Sequence, residues 1–309
     1  MGKYDDIPLG HQITYAREKF DVVAQPKWQI PDIVVIEAAI SGDHYQDPAR
    51  RKGAANAREL AKQEALLAIG AGASAVHFSA YDKDGKRSGH IADYRHMVDS
   101  CREKFGYSFL ANCNSLYGDT FEQKLSAVLA DIAEEAVVNC VYRFHPRFLQ
   151  ASVEVMEEHG CRPHLTVRDT IEISNAYDYL IKRGLVRKPY SWLIYPNFDG
   201  IPFPDARAMH TGLQFMVDRI RDIDADSVIM VGCNGRASIF LCATAMIMGL
   251  NVRVGMEDSN WLYPHRDETC GDNGIAVSRA VELANLLGRR PATGDDYRRI
   301  LGLQPKGNA

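Results

Sequence analysis

The sequence predicts an α/β protein folded as a (β/α)8 TIM barrel, and three observations carry that expectation. From residue 32 onward, eight short apolar segments rich in β-branched residues alternate with helix-forming segments. Polar side chains collect at the carboxyl ends of those segments, where such barrels carry their chemistry. The length of 309 residues, 46% hydrophobic and 25% charged, suits one barrel domain. A doubly wound open sheet is the alternative, but eight units joined by short loops favour closure.

Residues 1–31 read as an N-terminal arm, because Tyr15, Phe20 and Trp28 show no period and Pro26 and Pro31 interrupt any long element. Residues 32–309 form the single barrel domain. DIVVIEAAISG (32–42) is a nearly continuous apolar run ended by glycine, as expected of a parallel strand buried on both faces. Residues 54–69 have helical spacing and strong helix formers, and SAVHFSAYDKDG (74–85) returns as the second strand. A helix near 91–104, the strand YSFLANCN (107–114), a helix near 120–133 and the strand EAVVNCVY (135–142) complete the first half. A helix over 147–159 ends at His159-Gly160, and RPHLTVRD (162–169), SWLIYPN (191–197), DSVIMVGCNG (226–235) and NVRVGMED (251–258) supply the remaining strands. After the last barrel helix, AVSRAVELANLLGR (276–289), the tail PATGDDYRRILGL predicts a short helix with Thr293 as N-cap and Asp296 three residues on.

The net charge is -4 and the basic residues are scattered, so nucleic acid is not an expected partner. No apolar run approaches the roughly 20 residues of a membrane span. The polar start MGKYDDIPLGHQ lacks a signal peptide's apolar region, and a cytoplasmic protein is expected. Seven cysteines (101, 113, 140, 161, 233, 242 and 270) include no CxxC pair, which points to reduced thiols, Cys113 and Cys233 among them as core residues.

The candidate site centres on the last strand. Arg253 shares parity with Gly255 and Glu257, and the acid pair Glu257-Asp258 ends the strand, where barrel chemistry sits. Other strand ends add Glu37, His44, His77, Ser79, Asn112, Asn114, His164 and Thr166. So many polar groups inside a barrel are costly unless they bind a ligand or one another. Gly232 and Gly235 in VGCNGR offer backbone N–H groups before a helix, a place for phosphate or carboxylate, although a tight βα turn explains them equally.

Three segments, GAGASAVHFSAYDKDGK, VGCNGRASIFLCATAMIMGLNVRVGMEDS and LANLLGRRPATGDDYRRILGL, resemble the β-keto acid cleavage enzymes over most of residues 32–303. That resemblance implies a zinc-dependent barrel, a homo-oligomer (dimer or tetramer), that condenses a β-keto acid with acetyl-CoA and releases acetoacetate and a new acyl-CoA. Carried over by position, the metal ligands are His77, Ser79 and Glu257, with Ser79 standing where the family has a second histidine. A hydroxyl is a poor zinc ligand. His164 and His44 are candidates for the missing nitrogen, and water in its place or no metal are the other outcomes. Arg253 and Asp258 match the family's catalytic pair, with Asp258 as the base. Asn114 replaces a serine as a donor to the developing oxyanion. Thr166, His164, His44, Gly232 and Gly235 are assigned to substrate. The rivals are a metal-dependent lyase or aldolase that needs no coenzyme A, and a metal-free binding barrel without catalysis.

Overall fold

The computed structural model describes residues 2–7, 26–41, 57–141, 143–196 and 203–307. Contacts divide the chain into Met1–Ile30 and Pro31–Ala309. In the first unit, Asp5 and Ile7 close a turn on the carbonyls of Gly2 and Tyr4, and Trp28 is exposed.

In the second unit a two-residue strand, β1 (Ile33–Val34), leads into eight parallel strands. They are β2 (Ile36–Ala39), β3 (Ala75–Phe78), β4 (Leu110–Cys113), β5 (Glu135–Asn139), β6 (Arg162–Val167), β7 (Ser191–Ile194), β8 (Val228–Val231) and β9 (Asn251–Val254). Each pairs with the next and β9 returns to β2, which closes the (β/α)8 barrel that the sequence predicts. The helices are α1 (Ala57–Gly70), α2 (Ile91–Phe105), α3 (Phe121–Lys124), α4 (Ser126–Leu129), α5 (Pro146–Glu158), α6 (Thr170–Ala176), α7 (Ala206–Ile223), α8 (Ser238–Ile247), α9 (Asn273–Leu286) and α10 (Gly294–Ile300). A π-helical stretch, Tyr177–Ile181, extends α6. Strand β10 (Arg290–Pro291) pairs with β1. Among the described residues no helix is long and apolar enough to cross a membrane.

Two apolar cores follow from strand alternation. Outward residues such as Ile36, Val76, Val138, Leu165 and Val252 pack with Leu149 and Val153 of α5, Leu213 and Ile220 of α7, and Leu241 of α8. Inward residues Val35, Ala75, Leu110, Leu193 and Met230 pack instead with Tyr297 of α10 and Leu301. The C-terminal helix is thereby docked at the amino ends of the strands, away from the mouth. The predicted cap is present: Thr293 accepts from Asp296 N–H, and the Asp296 carboxylate accepts from Thr293 N–H. All seven cysteines are buried and free of disulfides, and burial pushes the Cys113 and Cys242 thiols up to about 12. They are inert core thiols.

Candidate active site

The inward positions of the barrel carry Glu37 on β2, His77 on β3, Asn112 on β4, Glu135 on β5, His164 on β6 and Arg253 on β9, all buried. Asn112 ties three of them, His77, Glu135 and His164, together. Its Nδ2 donates to Glu135 Oε2 at 3.0 Å and lies 2.9 Å from His164 Nδ1, while its Oδ1 is 2.9 Å from His77 Nδ1. With the amide nitrogen committed to Glu135, Oδ1 must accept, so the network assigns the His77 proton to Nδ1 and leaves the Nε2 lone pair facing the mouth. Burial drives the pKa values of both carboxyls up to about 7; Arg253 partly offsets this at Glu37, and hydrogen bonds from Ser191, Tyr297 and Asn112 do so at Glu135. The same desolvation pushes His164 down to about 4 and His77 well below its ordinary value.

The mouth is built by one glycine. At Gly255 φ is +139°, and a Cβ there would lie 2.2 Å from the Ala39 carbonyl oxygen, so only glycine lets the chain turn across β2 after β9. The next residues are then pinned: Met256 N–H donates to Asn273 Oδ1 at 2.8 Å and Glu257 N–H to Ala39 O at 3.2 Å. This aims both acids back over Arg253. Its Nε donates to Asp258 Oδ2 at 2.8 Å and its NH2 to Oδ1 at 2.9 Å, a side-on two-bond pair. Burial alone would lower the Arg253 pKa, but the charge and hydrogen bonds of Asp258, with Glu37 and Glu257 behind them, raise it well above the usual value. The Tyr195 hydroxyl lies 2.8 Å from Asp258 Oδ1 and 2.5 Å from the Asn234 amide; its one proton goes to the charged carboxylate, so the Asn234 amide must turn its nitrogen to the phenol oxygen.

These groups wall a cavity of about 840 Å³. Of the residues singled out from the sequence, His77, Asn114, Thr166, Gly235, Arg253, Glu257 and Asp258 line it, whereas Ser79, His164 and Gly232 do not. Ser79 sits behind, donating to Glu257 Oε1 at 3.3 Å and accepting from Asn114 Nδ2 at 3.2 Å. His164 is fully buried beside Asn112 and Glu135, so its expected contact with substrate is replaced by a structural one. The glycine N–H groups are not free for an anion: Gly232 N–H donates to Ile194 O and Gly235 N–H to Asp258 O. A Cβ at Gly232 would lie 3.1 Å from Arg253 Cβ, so this glycine makes room for the arginine. His44 lies outside the described residues. The sequence reading missed Tyr195, Asn234 and Arg87. Arg87 donates to Glu257 Oε1 at 3.3 Å and is brought there by the turn Asp82–Lys86, whose Asp-Gly pair was the available signal.

Does this mouth fit the zinc ion that the resemblance implies? His77 Nε2 and Glu257 Oε2 are 3.6 Å apart, a spacing that two ligands of one ion can have, and Asn112 orients the imidazole as a second partner should. The third ligand fails. The Ser79 hydroxyl is a donor to Glu257, and His164 is held in the layer of Asn112 and Glu135. Among the described residues no group of three His, Cys, Asp or Glu side chains with metal-ligand spacing includes His77 or Glu257. A divalent ion on Glu257 would also lie roughly 5–7 Å from the Arg87 guanidinium, a repulsion of about 5 kcal/mol at an effective dielectric constant near 20. The described donor set does not fit a catalytic zinc. A different trio, Glu37, Glu135 and His164, has ligand-type atoms within 4.8 Å of one another and could hold a metal ion. Glu37 Oε2 and His164 Nε2 have no hydrogen-bond partner there, but the trio is fully buried and off the cavity wall.

A closed parallel barrel with an ion-paired carboxylate in a strand-end cavity defines the class: a TIM-barrel protein with an enzyme-like mouth. The sequence pattern of the beta-keto acid cleavage enzymes (BKACE) matches residues 33–303, and the chain belongs to that family. It is 28% identical over 281 residues to the 3-keto-5-aminohexanoate cleavage enzyme of Fusobacterium nucleatum subsp. nucleatum, covering 88% of this chain and 98% of that protein. The enzyme of the same name from Acetoanaerobium sticklandii is 26% identical over 279 residues, covering 87% and 98%. Among solved structures, apo ObcA superposes with a TM-score of 0.64 at 19% identity, covering 80% of this chain and 64% of that one. ObcA in a ternary complex with a C4-CoA adduct and oxalate gives 0.62 at 19% identity, covering 80% and 66%. These two likenesses show the shared fold.

Proposed function

We propose that this chain cleaves a β-keto acid with acetyl-CoA, giving acetoacetate and the acyl-CoA of the shortened acid. The family and the coenzyme A adduct bound by the ObcA relative support this reading. The observation that carries it is the state of Asp258. Arg253 and Tyr195 occupy three of the roughly four lone-pair directions of its carboxylate. One direction remains for a substrate proton.

In this mechanism Asp258 takes a proton from the carbon between the keto and carboxylate groups, and Arg253 holds the Asp258 carboxylate in place through its two hydrogen bonds. The resulting carbanion forms a carbon–carbon bond to the acetyl carbonyl, and coenzyme A leaves as thiolate. The thiolate then adds to the keto carbon, the original bond from that carbon to the substrate's α-carbon breaks, and the carbanion so released takes the proton back from Asp258 and departs as acetoacetate. Asn114 lines the cavity and its Nδ2 has a second hydrogen beyond its bond to Ser79; in this reading that hydrogen is donated to the developing oxyanions. No step is assigned to zinc.

Thr166, Asn139, Val137 and Leu193 line the cavity on β5 to β7, and none of them is a carboxylate. A neutral or anionic substrate side chain therefore suits this wall better than a cationic one. Residues 32–309 act in this reading as one catalytic domain, and the dimer or tetramer is checked by light scattering. The direct test is a panel of β-keto acids with acetyl-CoA, read by acyl-CoA mass. Turnover without coenzyme A selects the lyase, and silence across the panel selects the binding barrel.

A further inference from the structure

Two guanidinium groups already balance the two acids of the mouth. Arg253 pairs with Asp258 and reaches Glu257 Oε2 at 3.5 Å, and Arg87 NH1 holds Glu257 Oε1 at 3.3 Å. Arg87 is built in rather than laid on. Its guanidinium lies 4.6 Å over the Tyr81 ring and 5.3 Å from the centre of the Tyr117 ring, its NH2 donates to Ser41 Oγ at 3.3 Å, and its side chain is only 12% exposed. The bridge between Tyr81 and Arg87, around the turn in which Gly85 has φ +78°, returns the loop after β3 to the strand end. Ser79, at the family's second-histidine position, is short enough to leave Glu257 Oε1 accessible and donates to that same oxygen. An imidazole at position 79 would compete with Arg87 for this carboxylate.

We propose that Arg87 takes the place of the divalent cation at this centre, so that the mouth is complete without a catalytic metal. Arg87 is a positioning residue: it is off the cavity wall and acts through Glu257, whose charge it balances and whose orientation it fixes. Glu257 in turn faces the His77 Nε2 lone pair across 3.6 Å, and a substrate hydroxyl or enol proton can bridge the two acceptors. The inference rests on family membership and not on the coenzyme A step.

The test reads metal without substrate. Purified protein is incubated with zinc, desalted and analysed for elements, alongside Ser79→His, His44→Ala and the double variant Ser79→His/Arg87→Met. Wild type is expected to hold less than about a tenth of a zinc per chain, and Ser79→His alone to stay similarly low because Arg87 still occupies the carboxylate. The double variant regains the third ligand and loses the competing cation, so it should hold about one. Wild type with about one zinc, reduced by His44→Ala, overturns the proposal. Should the double variant not fold, the wild-type content still decides. A second readout separates positioning from mere structure: Arg87→Lys keeps the charge and should hold kcat within about tenfold, whereas Arg87→Met should lower kcat with little change in KM. Equal losses in both variants, or a change in KM alone, also overturn it.

Discussion

At the scale of residues, the mouth is governed by how fully each carboxylate is engaged. Asp258 keeps one lone-pair direction, whereas Glu257 faces two guanidiniums, a hydroxyl and an imidazole. In the proposed mechanism this makes Asp258, not Glu257, the base. Asp258→Asn keeps the shape but loses the charge that Arg253 supports, and should lower turnover by about a hundredfold or more while leaving the fold intact, checked by steady-state kinetics beside circular dichroism. Unchanged turnover removes Asp258 from the mechanism. Arg253, Glu257 and Asp258 were legible because they crowd the end of one strand, where parity and position can be read directly. Arg87 and Tyr195 were not, since they come from a loop after β3 and the end of β7 and meet the acids only when the barrel closes. The loss of His164 from the substrate wall has the same origin. Parity shows that a strand residue points inward but not how deep it lies; the register opposite Val137 and Ser191 sets that depth and brings His164 to Asn112.

At the scale of elements, the eight strands were readable because strands buried on both faces give short, continuous apolar runs. The helix expected near 120–133 is instead two four-residue pieces, α3 and α4, broken where Leu125 leaves helical geometry at φ −103° and ψ 13°. Periodicity cannot register a one-residue break. The pairing of β1 with β10 was invisible too, being two residues long and 257 positions apart, Ile33↔Arg290 and Val34↔Pro291. The C-terminal helix was read from its cap, yet docking holds it. Arg298 is fully buried, its Nε and NH2 donate to Glu134 at 2.6 and 2.9 Å, and it also binds the Tyr107 and Phe109 carbonyls. Arg298→Ala leaves Glu134 buried without its main partner and should cost about 3–5 kcal/mol, whereas Thr293→Ala, which removes only the cap, should cost about 1 kcal/mol. Urea unfolding of the two variants measures both. Equal costs would show that the cap, not the ion pair, secures α10.

At the scale of the whole molecule, the barrel interior holds ionisable groups whose opposing shifts set how stability responds to pH. Glu37 is raised to about 7 by burial, so it binds a proton more tightly folded than unfolded. Its contribution is complete below the ordinary glutamate range and is lost as pH rises through about 7. His164, lowered to about 4 by the same burial, contributes above the ordinary histidine range and loses that contribution as pH falls through about 4. Between about pH 4.5 and 6.5 the two act against each other, with Glu135 on the side of Glu37 and His77 on the side of His164. Glu37→Gln removes one falling contribution, and it also removes a neighbouring carboxyl that favours protonated His164. Both changes have the same sign. The variant should therefore gain stability on going from pH 4.5 to 6.5 relative to wild type, by on the order of 2 kcal/mol, whatever its stability at a single pH. Urea midpoints of both proteins across that range make the comparison, in which surface carboxylates common to the two cancel. Parallel pH profiles would mean that Glu37 stays ionised in the folded barrel, held by Arg253 at 3.4 Å, and that the interior carries its charge at neutral pH.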